Sequence, residues 1–153
     1  MSLTEQLQAD MKTAMRDGDA QRRDTLRMAI AAVQNAEKEK RAPLSDDEVL
    51  AVLTRQVKTR RESIKAYRDA GRDDLADKEQ AEIDVLAPHL PEQLGEDEVR
   101  VLVTEAIAST GASSPRDMGR VMGALMPKVK GRADGALVSG LVNQELAKAA
   151  AAE

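Results

Sequence analysis

Two groups of basic side chains in this chain are spaced to meet a polyanion. Lys58, Arg61, Lys65, Arg68 and Arg72 recur at intervals of 3, 4, 3 and 4 residues. At about 100° per residue they share one face of a helix. A line of ammonium and guanidinium groups suits a phosphate backbone. The second group is Arg116, Arg120, Lys128, Lys130 and Arg132, opposed by Asp117. Lys128, Lys130 and Arg132 surround Gly131 and are expected in a loop leading into the last helix, whose backbone N–H groups would add positive potential.

Other chemistries lack their residues. There is no Cys, so no disulfide, thiolate nucleophile or Cys-ligated metal site can form. His89 is the one imidazole. It lies in a His-Leu-Pro context that suits a cap or surface group, and it leaves no Ser-His-Asp triad or multi-histidine metal site. The expectation is a protein without a metal or other cofactor. No apolar run approaches the ~20 residues of a membrane span. Met1–Glu5 has neither a basic nor an apolar signal region. A soluble, cytoplasmic protein is therefore expected.

The elements that must carry these residues are helical. The chain has 153 residues, 42% of them hydrophobic but only 1% aromatic. An aliphatic core with no period-two alternation favours packed helices over strands. Ser2-Leu3-Thr4-Glu5 reads as a capping box, followed by Leu3, Leu7, Met11 and Met15 and a C-cap at Gly18. A second helix runs from about Asp19 to Arg41 with Leu26, Ile30 and Val33 on its apolar stripe, widened by Ala29 and Ala36. Ser45-Asp46-Asp47-Glu48 is a second capping box, opening a long helix to about Ala70. Asp73 or Asp74 is expected to cap a fourth helix bearing Leu75, Ile83 and Leu86. Pro88-His89-Leu90-Pro91 ends it.

A boundary there gives an N-terminal antiparallel four-helix domain, residues 1–90, and a small C-terminal three-helix domain, residues 91–153. The latter has a helix from Glu96, a short one from Ser114-Pro115 to Met126, and a last one carrying Leu137, Val138, Leu141, Val142 and Leu146. Residues 127–135 read as a basic connection. The fold class is all-α. Met118, Met122 and Met126 read as a core stripe, and Gly119 with Gly123 would allow a neighbour to approach closely.

The formal net charge of -4 conceals a segregation. Residues 55–72 hold seven bases and two acids, net +5, whereas residues 73–98 hold one base and ten acids, net -9. Antiparallel packing of the third and fourth helices would set these stretches side by side. The first basic stripe therefore has a purely structural reading, as the ion-pairing partner of the fourth helix. Glu79 and Glu82 are placed to reach Arg60 or Arg61.

Two long stretches resemble the GatB/YqeY family. One is Lys58-Thr59-Arg60-Arg61-Glu62-Ser63-Ile64-Lys65-Ala66-Tyr67, continuing Ala70-Gly71-Arg72-Asp73-Asp74-Leu75-Ala76, then Glu79, Glu82, Ile83 and Leu90-Pro91. The other is Asp117-Met118-Gly119-Arg120-Val121-Met122-Gly123 with Lys130-Gly131-Arg132-Ala133-Asp134-Gly135. Leu26-Arg27-Met28 and Glu37 also fit. The chain is most similar to the stand-alone YqeY-like members. Thr59 stands where many relatives have Gln, and His89 where an aromatic often precedes Leu-Pro.

The resemblance implies a helical N-terminal part, a three-helix C-terminal part and a link to tRNA. A similar domain forms the tail of the B subunit of the glutamine-dependent aspartyl/glutamyl-tRNA amidotransferase, where it helps hold tRNA. By that resemblance tRNA contact is expected at Arg120, Lys128, Lys130 and Arg132. The amidotransferase's kinase-like cradle domain has no counterpart in these residues, so carbon–nitrogen ligase activity is not expected of the chain alone.

The leading expectation is a non-catalytic tRNA-associated adaptor, translation-related and contacting backbone and folded shape, since a chain nearly without aromatics offers no stacking platform. An aminoacyl-tRNA synthetase or an amidotransferase is the protein partner this implies. The alternatives are a helical protein-interaction module without RNA binding and an amidotransferase-related enzyme.

Overall fold

The structure is a computed structural model, and it describes residues 1–152. Among them every regular element is helical, and the chain divides into two compact units, Met1–Pro91 and a second beginning at Glu92.

The first unit contains α1 (Leu3–Arg16), α2 (Ala20–Lys40), α3 (Asp46–Asp69) and α4 (Asp73–Leu86), closed by a 3-10 turn at Ala87–His89. Local chemistry sets most of the boundaries. The Ser2 hydroxyl accepts from Glu5 N–H at 3.1 Å while the Glu5 carboxylate accepts from Ser2 N–H, a complete capping box. Asp17 rather than Gly18 is the C-cap of α1. At the start of α3 only half of the expected box forms. Ser45 accepts from Glu48 N–H, but the Glu48 carboxylate turns to Lys40 Nζ at 2.8 Å. The ammonium outcompetes the backbone amide because both partners are charged.

The fourth helix departs from expectation at its start. Its N-cap is Arg72, with no side-chain cap bond, and Asp73 and Asp74 lie in the first turn. Their charges still face the positive helix end. The three-residue turn is made possible by Gly71 at φ +72°, after which Arg72 N–H reaches back to Tyr67 O at 2.8 Å.

Burial follows the sequence pattern. Leu7, Leu26, Ile30, Val33, Val49, Leu53, Val57, Ile83 and Leu86 form one core. Each contributes roughly 1.5–3 kcal/mol through burial of aliphatic surface. One member of the α3 core stripe is not apolar: Arg60 is buried among these residues.

The second unit contains α5 (Glu96–Thr110), a 3-10 turn at Pro115–Asp117, α6 (Met118–Val129) and α7 (Gly135–Ala151). Val99, Val103, Ala106, Val121, Leu125, Val129, Val138, Leu141, Val142 and Leu146 form its core. Here α6 runs past the expected end at Met126 and carries Pro127 in its last turn. Proline there removes only the bond to the Gly123 carbonyl, and both residues are exposed, so the loss falls on the solvent side. Met118 and Met122 pack on the core, but Met126 is 43% exposed and does not belong to the stripe. Gly119 and Gly123 have open space where a side chain would stand, so no helix of the described residues uses them for close approach.

Candidate nucleic-acid interface

The two basic groups meet different fates. The C-terminal half of the stripe pairs with acids of α4, and Arg72 is not on α3 as expected but at the N-cap of α4, because the helix ends at Asp69. Arg68 contacts Asp73 at 3.4 Å and Asp77 at 3.2 Å, and Arg72 contacts Asp74 at 3.2 Å. The Arg72 guanidinium holds the Asp74 carboxyl below its ordinary range. Below these, Arg60 Nε donates to Glu82 at 3.2 Å, and its Nη1 donates to the side-chain and backbone oxygens of Gln56. The structural reading of this stripe therefore applies at Arg68 and Arg72. Lys58 is half-buried. Arg61 and Lys65 stay exposed and form no ion pair with a described residue.

His89 is not a surface group. Its side chain is 9% exposed and its Nε2 lies 3.0 Å from Asp10 Oδ2, while Arg22 bonds the other oxygen of the same carboxylate. Burial would raise the Asp10 pKa, but the bonds from Arg22 and His89 together hold it below its ordinary value. This network ties the last turn of the first unit to α1 and α2. Nothing in the spacing of Asp10, Arg22 and His89 announces it, because it depends on how three separate elements pack.

In the second unit α6 sets the positions of the bases. Arg120 and Lys128 are eight residues apart, which places them about 12 Å apart along the axis. Arg116 and Arg120 thus lie at one end of α6, and Lys128, Lys130 and Arg132 at the other. Lys128 is on the last helical turn rather than in the expected loop. It is exposed and makes no ion pair with a described residue, and the same holds for Arg116. Lys130 is also exposed.

The two remaining arginines are engaged. Arg120 donates to Asp117 Oδ1 at 2.8 Å and to Thr110 O, a last-turn carbonyl of α5, at 3.1 Å. Asp117 accepts from the Ser113 and Ser114 N–H groups as well. The Ser113 bond first, and Arg120 second, keep its carboxyl below the ordinary range. Arg132 donates from Nε to Glu92 O at 3.1 Å and from Nη1 to Lys128 O at 3.2 Å. The expected contribution of the α7 start also changes. Asp134 is its N-cap and accepts from Ala136 N–H at 3.2 Å, so a carboxylate already occupies that position.

A family model described as Yqey-like protein matches residues 4–146. The chain belongs to the Yqey-like family. It is 37% identical over 129 residues to "Altered inheritance of mitochondria protein 41, mitochondrial" of Pyrenophora tritici-repentis, covering 83% of this chain and 71% of that protein. A protein of the same name from Eremothecium gossypii is 30% identical over 125 residues, covering 80% of this chain and 65% of its own length. An uncharacterized protein of Schizosaccharomyces pombe is 37% identical over 68 residues, covering 44% of this chain and 55% of its own. The Yqey-like match takes in both basic groups and the whole of α6. Among the described residues no group of acidic or histidine side chains could hold a metal ion, and no helix is long and apolar enough to cross a membrane.

Proposed function

We propose that this Yqey-like protein is a tRNA-associated adaptor that holds folded RNA by its phosphate backbone, through a surface built on Arg120, Lys128, Lys130 and Arg132. The observation that carries this reading is the exposed positive charge around α6: Arg116 at one end and Lys128 at the other lie exposed without an ion pair among the described residues, and Lys130 is exposed near Lys128. The comparable bases at 68, on α3, and 72, at the N-cap of α4, are paired with acids of the first turns of α4. Arg61 and Lys65 supply a secondary positive surface, with Lys58 and Arg68 along the same helix and Arg72 in the turn that follows it. The resemblance to the amidotransferase tail supports tRNA as the RNA, and a synthetase or amidotransferase as the protein served. With one Tyr and no Phe or Trp, recognition is by backbone and shape rather than by base stacking. The reading requires a compartment containing tRNA. That is the cytoplasm in the expectation from sequence, while two of the relatives carry "mitochondrial" in their names.

Titration of tRNA at several salt concentrations tests this. Affinity should fall linearly with salt on logarithmic axes, and Lys128→Ala and Lys130→Ala should each lower the slope by about one. Absence of binding by folded protein at tens of micromolar and low salt, roughly where non-specific RNA affinity lies, overturns the reading.

A further inference from the structure

Arg132 is one of the four bases to which tRNA contact is carried over, yet its guanidinium is turned toward the protein. Two of its nitrogens donate to backbone carbonyls. One acceptor, Lys128 O, is among the last-turn carbonyls of α6 that have no partner within the helix. The other, Glu92 O, belongs to the strand of chain that enters the second unit. Two further bonds seal the same junction: Gln93 Nε2 donates to Gly131 O at 2.8 Å, and Leu94 N–H donates to Arg132 O at 2.8 Å. Gly131 sits between them at φ +74°, a conformation that places its carbonyl where Gln93 can reach it.

From this geometry we infer that Arg132 and Gln93 are positioning residues for the RNA surface rather than contacts to RNA: they fix the end of α6 and the loop behind it, so that Lys128 and Lys130 present their charges in one arrangement. The inference rests on the RNA reading given above and divides its residues by role. The two arginine donors are already committed to neutral carbonyls that no phosphate can replace without loosening the loop. Lys128 and Lys130, at the same end of α6, are exposed. The planar fork of arginine matters here, because two carbonyls are bridged at once. A lysine keeps the charge but has one nitrogen where arginine places two, so it cannot reproduce both bonds at their present positions. Order in the loop matters as well, since unfixed lysines must lose rotamer and backbone freedom on binding.

The experiment compares Arg132→Lys and Gln93→Leu with wild type, using full-length protein, tRNA titration across salt concentrations, and amide hydrogen exchange. A positioning role predicts that both variants lose about tenfold in affinity, roughly the worth of one hydrogen bond. It also predicts a salt slope equal to that of wild type and faster exchange at amides 129–133. Gln93 carries no charge, so its effect cannot come from a lost phosphate pair. If Arg132→Lys binds within twofold of wild type, or if Arg132→Ala lowers the salt slope by about one, Arg132 is a direct contact and the inference is overturned while the RNA reading stands. Unchanged affinity in Gln93→Leu also overturns it. If wild type itself does not bind tRNA, the RNA reading fails and this assignment falls with it.

Discussion

Glu79 is held half-buried on α4, one turn from Glu82, and its pKa is raised above the ordinary 4.5 first by burial and then by the Glu82 charge. The neighbouring Arg60 lowers it but does not cancel these effects, because Arg60 is already bonded to Glu82. The folded state therefore binds the Glu79 proton more tightly than the unfolded state does. The penalty is full above the raised pKa and disappears as the pH falls through it toward 4.5. Replacing Glu79 with Gln should raise stability at pH 7 and flatten the dependence on pH in the weakly acidic range. Urea unfolding at a series of pH values reads both, and a variant less stable than wild type at pH 7 would contradict the assignment. Asp10 has the opposite sign. Its lowered pKa means that the Arg22 and His89 bonds stabilise the fold above the unfolded-state value and are lost as the pH drops through the folded one.

The helices show where local preference was overridden and where it was not. Gly119 and Gly123 lie in ordinary helical conformation with nothing near the position of a side chain. Glycine in such a place costs about 0.5–1 kcal/mol relative to alanine, through the freedom it loses on folding. Gly119→Ala and Gly123→Ala should therefore each raise the unfolding free energy by about that amount, measured by thermal or denaturant melts. A loss of stability would show that something covers this face in solution. Pro127 reverses the usual rule. Proline ordinarily ends a helix, but in the last turn of α6 it forfeits a single bond on the exposed side and the helix continues to Val129.

Across the whole molecule, the two hydrophobic cores share no residue. Leu125→Ala opens a cavity in the second core and should cost about 2–5 kcal/mol there. Hydrogen exchange resolved by residue is expected to show that loss at amides after Glu92, with the core amides of α2 and α3 unchanged. Loss spread equally over both units would contradict separate cooperative behaviour. The charge distribution works at the same scale. The -4 total combines an acidic α4, which pairs with Arg60 and Arg68 of α3, with an α6 region where Arg116 and Lys128 stay exposed without an ion pair among the described residues.

The sequence alone determined the helical class, the Ser2 box, the long α2 and α3, and most core positions, although Met15 and Met126 of the apolar stripes are exposed and Val129 and Ala133 join the second core. These follow from periodicity and from side chains acting within one turn of their own backbone. It also placed Glu79 and Glu82 within reach of Arg60 or Arg61, and the packing of α3 on α4 selects the Arg60–Glu82 pair. Three things waited for the tertiary structure. His89 reads as a turn residue until Asp10 and Arg22, 79 and 67 positions away, are packed against it. The stripe on α3 divides into paired and open bases only when α4 takes its register. Arg132 reads as a phosphate ligand by its type and its glycine neighbour, and only folding brings the carbonyls of Glu92 and Lys128 to its two donors. Composition records that a charge exists. Which partner it meets is decided by contacts between residues far apart in the chain, and those have no local signature.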